Sequence, residues 1–258
     1  MTPIITVYWH GGGGRYLSVV AESLYKPTEL IDLCSGHKNP SIPMLRFGPN
    51  TAHNWDLLNL ESQCKIIKES WQALQKTTHS PIVHSQHRDL NLLLHALPNV
   101  NFLHIIAEPN DAADLAYNWY YKNLNAAIQD PSSYSIIKLR QQQDKNFILT
   151  DPAFAPDPAV FDNVDITDCV FWATIRAEVL RRNIQKTNLI PEPIDTHRIF
   201  KITWKDLKAG RLKHRLPELA NLMGIELHPD REQNALQIID QWTANQPQIP
   251  DLNIHSLV

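Results

Sequence analysis

The stretch Ile4-Ile5-Thr6-Val7-Tyr8-Trp9-His10-Gly11-Gly12-Gly13-Gly14-Arg15-Tyr16-Leu17-Ser18-Val19-Val20-Ala21 decides how the rest of the chain is read. Ile4 to Trp9 is a β-branched and aromatic run, the composition of a strand, and Tyr16 to Leu24 places apolar residues at helical spacing. Strand, glycine loop and helix in that order bring flexible backbone N–H groups and a helix N-terminus together on an anion. The chain has only eight glycines in 258 residues, and four of them stand together as Gly11, Gly12, Gly13 and Gly14. Each costs backbone entropy on folding, so such a run implies positive φ or a close backbone approach.

The loop is not the GxxxxGK[ST] pattern, because no Lys precedes a Ser or Thr. GxGxxG fits at Gly11 and Gly13 but meets Tyr16 at its last position, and Asp32 lies only loosely where a ribose-binding acid belongs. Arg15 is the candidate positive charge. Ser18 lies one turn into the helix, where its hydroxyl can face the loop. A tight turn that lets the helix pack on the sheet would use the same glycines.

Outward from this unit, Leu30 to Cys34 reads as a second buried run, followed by polar loop as far as Asn54. Trp55 to Lys76 has the spacing of an amphipathic helix. Pro81 to His84 reads as a short strand, Asp89 to Leu97 as a helix and Asn101 to Ala107 as a strand. Asp111 is the expected N-cap of a helix through Trp119 and Tyr120. Residues 130–162 hold Pro131, Pro152, Pro156 and Pro158 and read as an insertion or lid within one domain, 1–258. Asp168 to Gln185 is a helix with Val170 and Phe171 inward and Arg176, Arg181 and Arg182 on a solvated face or turned toward a site. Arg198 to Ile202 is a last strand, and Arg215 to Met223 and Asp230 to Trp242 are closing helices. Strands alternating with helices predict an α/β domain with a mainly parallel sheet flanked by helices.

Composition narrows the function. With 43% apolar and 20% charged residues the chain is an ordinary globular one. Its 24 basic against 27 acidic residues lack the basic excess of a dedicated nucleic-acid binder. No apolar run reaches the roughly 18–20 residues of a membrane span. Cys34, Cys64 and Cys169 support neither a disulfide framework nor a CxxC site, and no HxH or HExxH spacing marks a metal. A cytoplasmic protein without bound metal is the expectation.

Three pieces together resemble the sulfotransferase family. They are the N-terminal strand, phosphate loop and helix; the strand end Ile105-Ile106-Ala107-Glu108-Pro109-Asn110-Asp111 with the tyrosine-bearing helix Tyr117-Asn118-Trp119-Tyr120; and the late Ile202-Thr203-Trp204-Lys205-Asp206-Leu207 followed by Leu219-Ala220-Asn221-Leu222-Met223-Gly224-Ile225. The resemblance implies a P-loop, sulfotransferase-like fold and 3′-phosphoadenosine 5′-phosphosulfate as sulfuryl donor. It assigns donor binding to His10, Gly11, Gly12, Gly13, Gly14, Arg15, Tyr16, Ser18 and Asp111. Ala107 and Glu108 stand where the family keeps Arg and Asn, and His10 and the glycines where it keeps Lys and Thr.

In the same family a histidine after a central strand deprotonates the acceptor. By resemblance His87 in His84-Ser85-Gln86-His87-Arg88 is that base, or His84 if the register slips, because a neutral imidazole suits the proton transfer. The implied reaction transfers a sulfuryl group to a hydroxyl or amine on a small-molecule or glycan acceptor, with Arg15 as the charge beside it. The alternative, favoured by Ala107 and Glu108, is a non-catalytic protein of this fold that has lost the donor site and binds a glycan or a protein.

Overall fold

A computed structural model of the chain describes residues 2–9, 11–26, 28, 42–45, 58–78, 80–85, 89–151, 154, 156–189 and 197–252. Along these the elements are β1 (Ile4–Val7), α1 (Gly14–Tyr25), α2 (Leu60–Thr77), β2 (Ile82–Ser85), α3 (Leu90–Ala96), β3 (Asn101–Ile106), α4 (Ala112–Gln129), α5 (Tyr134–Thr150), α6 (Cys169–Thr187), β4 (Ile199–Thr203), α7 (Trp204–Lys208), α8 (Leu216–Met223) and α9 (Pro229–Ala244). The four strands pair in parallel in the order β2-β1-β3-β4, so their carboxyl ends share one edge, where α/β sheets place ligands. The α/β class and parallel sheet expected from the strand–helix alternation are what the structure has.

Strand side chains alternate between two cores, as the two-residue period demands. Ile4, Tyr8, Ile82, Leu103, Phe200 and Ile202 pack with α1, α4, α6 and α9 on one face. Ile5, Val7, Val83, Phe102 and Ile199 pack with α2 and α3 on the other. On that second face Arg198 reaches from the start of β4 to the end of α3. Its Nη1 donates to the carbonyls of Leu97 at 3.0 Å and Val100 at 3.1 Å, and its Nη2 to that of Leu94 at 3.3 Å.

Several expectations shift. The helix predicted from Trp55 starts at Leu60, because the Asn59 side chain accepts from the Ser62 N–H and caps it there. Part of the stretch read as loop adds an extended edge to β2: His84 N–H donates to the Pro43 carbonyl at 3.0 Å, and Leu45 N–H donates to that of His84 at 2.9 Å. The run Leu30 to Cys34 lies outside the described residues. Asp111 is not the side-chain cap of α4. It sits inside a 3₁₀ turn, Pro109–Asp111, that precedes the helix, and its carboxylate accepts from the Glu108 N–H at 2.8 Å.

The Pro-rich stretch 130–162 is largely helical. Pro131 and Pro158 each open a 3₁₀ turn, where a missing N–H costs nothing. Between them α5 buries Ile137 and Ile148 in the same core as the sheet. Val170, expected inward, is 46% exposed. Arg176 is not on a solvated face: it is 3% exposed and donates to Asp144 on α5 at 2.8 Å. Arg181 and Arg182 are tied to Glu178, and Arg182 also to Asp151.

Candidate functional site

The β1 strand delivers the chain to the loop at Tyr8 and Trp9. The Gly12 N–H donates to the Trp9 carbonyl at 2.8 Å, closing a tight turn. Gly11 takes φ +83°, and a Cβ there would stand 2.0 Å from the Leu115 carbonyl oxygen of α4. Gly14 begins α1 directly against the Tyr8 ring; a Cβ on it would lie 1.9 Å from a ring carbon. Close approach within the protein therefore accounts for the glycine at both ends of the run.

Gly13, at φ +68°, precedes α1 and offers no side chain to cap it. The Leu17 N–H donates to the Gly13 carbonyl at 2.9 Å. The N–H groups of Gly14, Arg15 and Tyr16 have no acceptor among the described residues. Three open amides at the positive end of a 12-residue helix are what an anion binds. Arg15 is half-buried and makes no hydrogen bond or ion pair among the described residues.

The remaining predicted residues scatter around this opening. Tyr16 is buried and stacks on Trp242 of α9 with ring centroids 3.9 Å apart. Burial, helped by Asp240, pushes its phenol far above the ordinary value, so it stays neutral in the core. The Ser18 hydroxyl is buried too, 2.7 Å from Thr6 Oγ1 and 2.9 Å from the Gly14 carbonyl, and pins the start of α1 to β1. His84 lies next to Thr6 in the β1–β2 register, on the face of α1, with its Nδ1 2.8 Å from the Tyr8 hydroxyl. His10 and His87 lie outside the described residues.

At the end of β3, Ala107 is buried and Glu108 is exposed, paired to Lys205 of α7 at 3.2 Å. Asp111 is buried, and desolvation raises its carboxyl against the opposing pull of the Glu108 N–H and Lys205. Lys208 pairs with Asp114 at 2.5 Å and Arg211 with Asp206 at 2.9 Å, so this end of the edge is charged but internally matched. Tyr8 and Lys205 are the residues that sequence reasoning missed. Tyr8 carried a signal, since it stands two residues beyond Thr6 on the same strand face, immediately before the loop.

Among the described residues no group of three His, Cys, Asp or Glu is placed to hold a metal, and no helix is long and apolar enough to cross a membrane. No family model matches the chain, and no curated protein does. Among solved structures, the sulfotransferase domain from the curacin biosynthetic pathway is similar over 98% of this chain and 93% of that one, at 14% sequence identity and a TM-score of 0.36.

Proposed function

We propose that the chain is a sulfotransferase that moves a sulfuryl group from 3′-phosphoadenosine 5′-phosphosulfate to a hydroxyl or amine. The observation that carries this is the opening of α1. Three amides without acceptors among the described residues stand beside an Arg15 without a partner among them, at the carboxyl edge of a parallel sheet and next to a histidine-bearing strand end. In this reading the amides of Gly14, Arg15 and Tyr16 and the Arg15 guanidinium hold the donor's 5′-phosphosulfate. The acceptor oxygen or nitrogen forms a bond to sulfur while the bond from sulfur to the bridging phosphate oxygen breaks. The acceptor's proton passes to His84 or His87, and the electron pair leaves with adenosine 3′,5′-bisphosphate. Charge developing on the bridging oxygen would be met by Arg15 and the helix end.

A second reading, a non-catalytic protein of this fold that binds a glycan or protein, is favoured by one observation. The position where the resemblance calls for a phosphate-binding Arg is the buried Ala107, and its neighbour Glu108 already holds Lys205. Calorimetry with adenosine 3′,5′-bisphosphate separates the two. Binding that Arg15→Ala weakens by about tenfold or more, the scale of one charge-assisted contact, is expected of the transferase. No heat at millimolar nucleotide would sink it and leave the second reading.

A further inference from the structure

We propose that the layer formed by α4, α5 and α6 contains a binding site for one small monovalent anion, held between the Arg140 guanidinium and the Nε–H of Arg176. The site is separate from the opening of α1 and does not depend on the sulfuryl-transfer reading.

The three helices carry one carboxylate each, and all are committed. Asp114 of α4 pairs with Lys208, Glu178 of α6 with Arg181 and Arg182, and Asp144 of α5 with Arg176 at 2.8 Å. Arg140 stands one turn before Asp144 on the same face of α5. It is half-buried, lies over the Trp119 ring at 5.8 Å from the centroid, and has no hydrogen bond or ion pair among the described residues. Trp119 in turn meets Tyr120 edge-on at 4.8 Å, and the charges of Asp144, Arg176 and Arg140 all reach the Tyr120 hydroxyl. Two guanidiniums therefore share one carboxylate. Tyr120 adds no charge, because burial drives its phenol far above the ordinary value. The cluster is left with one uncompensated positive charge. Burial, joined by Arg176, pulls the Arg140 guanidinium below its ordinary value against Asp144 and Tyr120.

Hydrogen bonding leaves a surplus of the same sign. Tyr120, Asp144 and Arg176 are all buried, yet Tyr120 Oη, Asp144 Oδ2 and Arg176 Nε have no partner. Buried polar groups are satisfied in nearly every folded protein, by water or a ligand where the chain does not do it. The Tyr120 hydroxyl and Asp144 Oδ2 are a donor and an acceptor on neighbouring groups and can satisfy one another. The Arg176 Nε–H and the Arg140 guanidinium are donors only, so an acceptor has to come from outside. Asp144 is held at Arg176 Nη1, which leaves the Nε edge for it. Water would complete the hydrogen bonds and leave the charge, whereas an anion completes both. One missing negative charge selects a halide or a small carboxylate over a divalent phosphate or sulfate.

The test is urea unfolding of the full-length protein while sodium gluconate, whose anion is too large for the interior, is exchanged for sodium chloride at constant ionic strength. For a dissociation constant of about 10 mM, about 100 mM chloride should raise the folding equilibrium constant about tenfold over gluconate, and the rise should saturate. Arg140→Met keeps an apolar stem over Trp119 and removes the charge, and should abolish the response. Arg140→Lys keeps the charge and should retain part of it. No chloride response in the wild type overturns the proposal, and so does a response of equal size in Arg140→Met, which would be a general salt effect. If Arg140→Met does not fold, a crystal soaked in bromide decides. An anomalous peak between Arg140 and Arg176 Nε upholds the site, and ordered side chains without a peak overturn it.

Discussion

The helices α1 and α6 bury their apolar sides in the same core, yet they begin in opposite ways. At α6 the Asp168 carboxylate accepts from the Phe171 N–H at 2.9 Å, and the Trp172 indole N–H donates to the Asp165 carbonyl at 3.0 Å. Farther along, Arg176 pairs with Asp144 in the interior. The protein thus supplies a side-chain acceptor to one of the first amides of α6. At α1 the residue before the helix is Gly13, and the next three amides point to no acceptor among the described residues. Shape holds α1 instead, through the contacts of Gly11 and Gly14 with Leu115 and Tyr8. Asn59 at α2, Asp89 at α3 and Thr203 at α7 cap their helices as Asp168 does. Five helices, α1, α4, α5, α8 and α9, lack such a cap; α4 and α5 continue from 3₁₀ turns and α8 and α9 carry Pro in their first turn, whereas α1 starts from a glycine turn at the carboxyl edge of the sheet.

The contrast can be broken from either side. Asp144→Ala leaves Arg176 buried without its counter-ion and should cost about 3–5 kcal/mol in urea unfolding, whereas the double change Asp144→Leu, Arg176→Met should recover most of it. Gly11→Ala combines a left-handed backbone with overlap on the Leu115 carbonyl and should cost about 3 kcal/mol in the same measurement. Asp168→Ala removes one cap and should cost about 1 kcal/mol. Arg15→Ala, with no partner among the described residues to lose, should stay within about 0.5 kcal/mol of wild type in stability while weakening adenosine 3′,5′-bisphosphate binding in calorimetry. A large loss of stability on Arg15→Ala would mean that the α1 start is closed by the protein after all.

Local signals made the sheet legible. Ile4-Ile5-Thr6-Val7, Ile82-Val83 and Ile199-Phe200 are β-branched and apolar runs, and the strands lie within a residue or two of where those runs put them. What depended on distant partners was not legible. Arg176 reads as a surface charge because Asp144, which takes it inward, is 32 residues away in a stretch whose prolines suggest loop. Pro131 and Pro158 open helical turns, a role that proline count alone does not distinguish from chain-breaking. Trp55 and Leu57 continue the apolar period of α2 past Asn59, and only the cap geometry ends it. In the candidate site the glycine loop and its helix could be read directly. The pairing of Tyr8 with His84, 76 residues apart, needed the parallel register of β1 and β2.

The Arg198 clasp on α3 has a consequence for synthesis. Its three carbonyl partners precede it by 98 to 104 residues, and β4 is the last strand of the sheet to be made. At about 5–20 residues per second the ribosome leaves the outer edge of β3 unpaired for roughly 5–20 s after β1, β2 and β3 have emerged. An unpaired parallel edge in a nascent chain is a template for wrong pairing. Arg198 directly precedes β4, so the residues that complete the β3 edge are also the ones that tie down the end of α3.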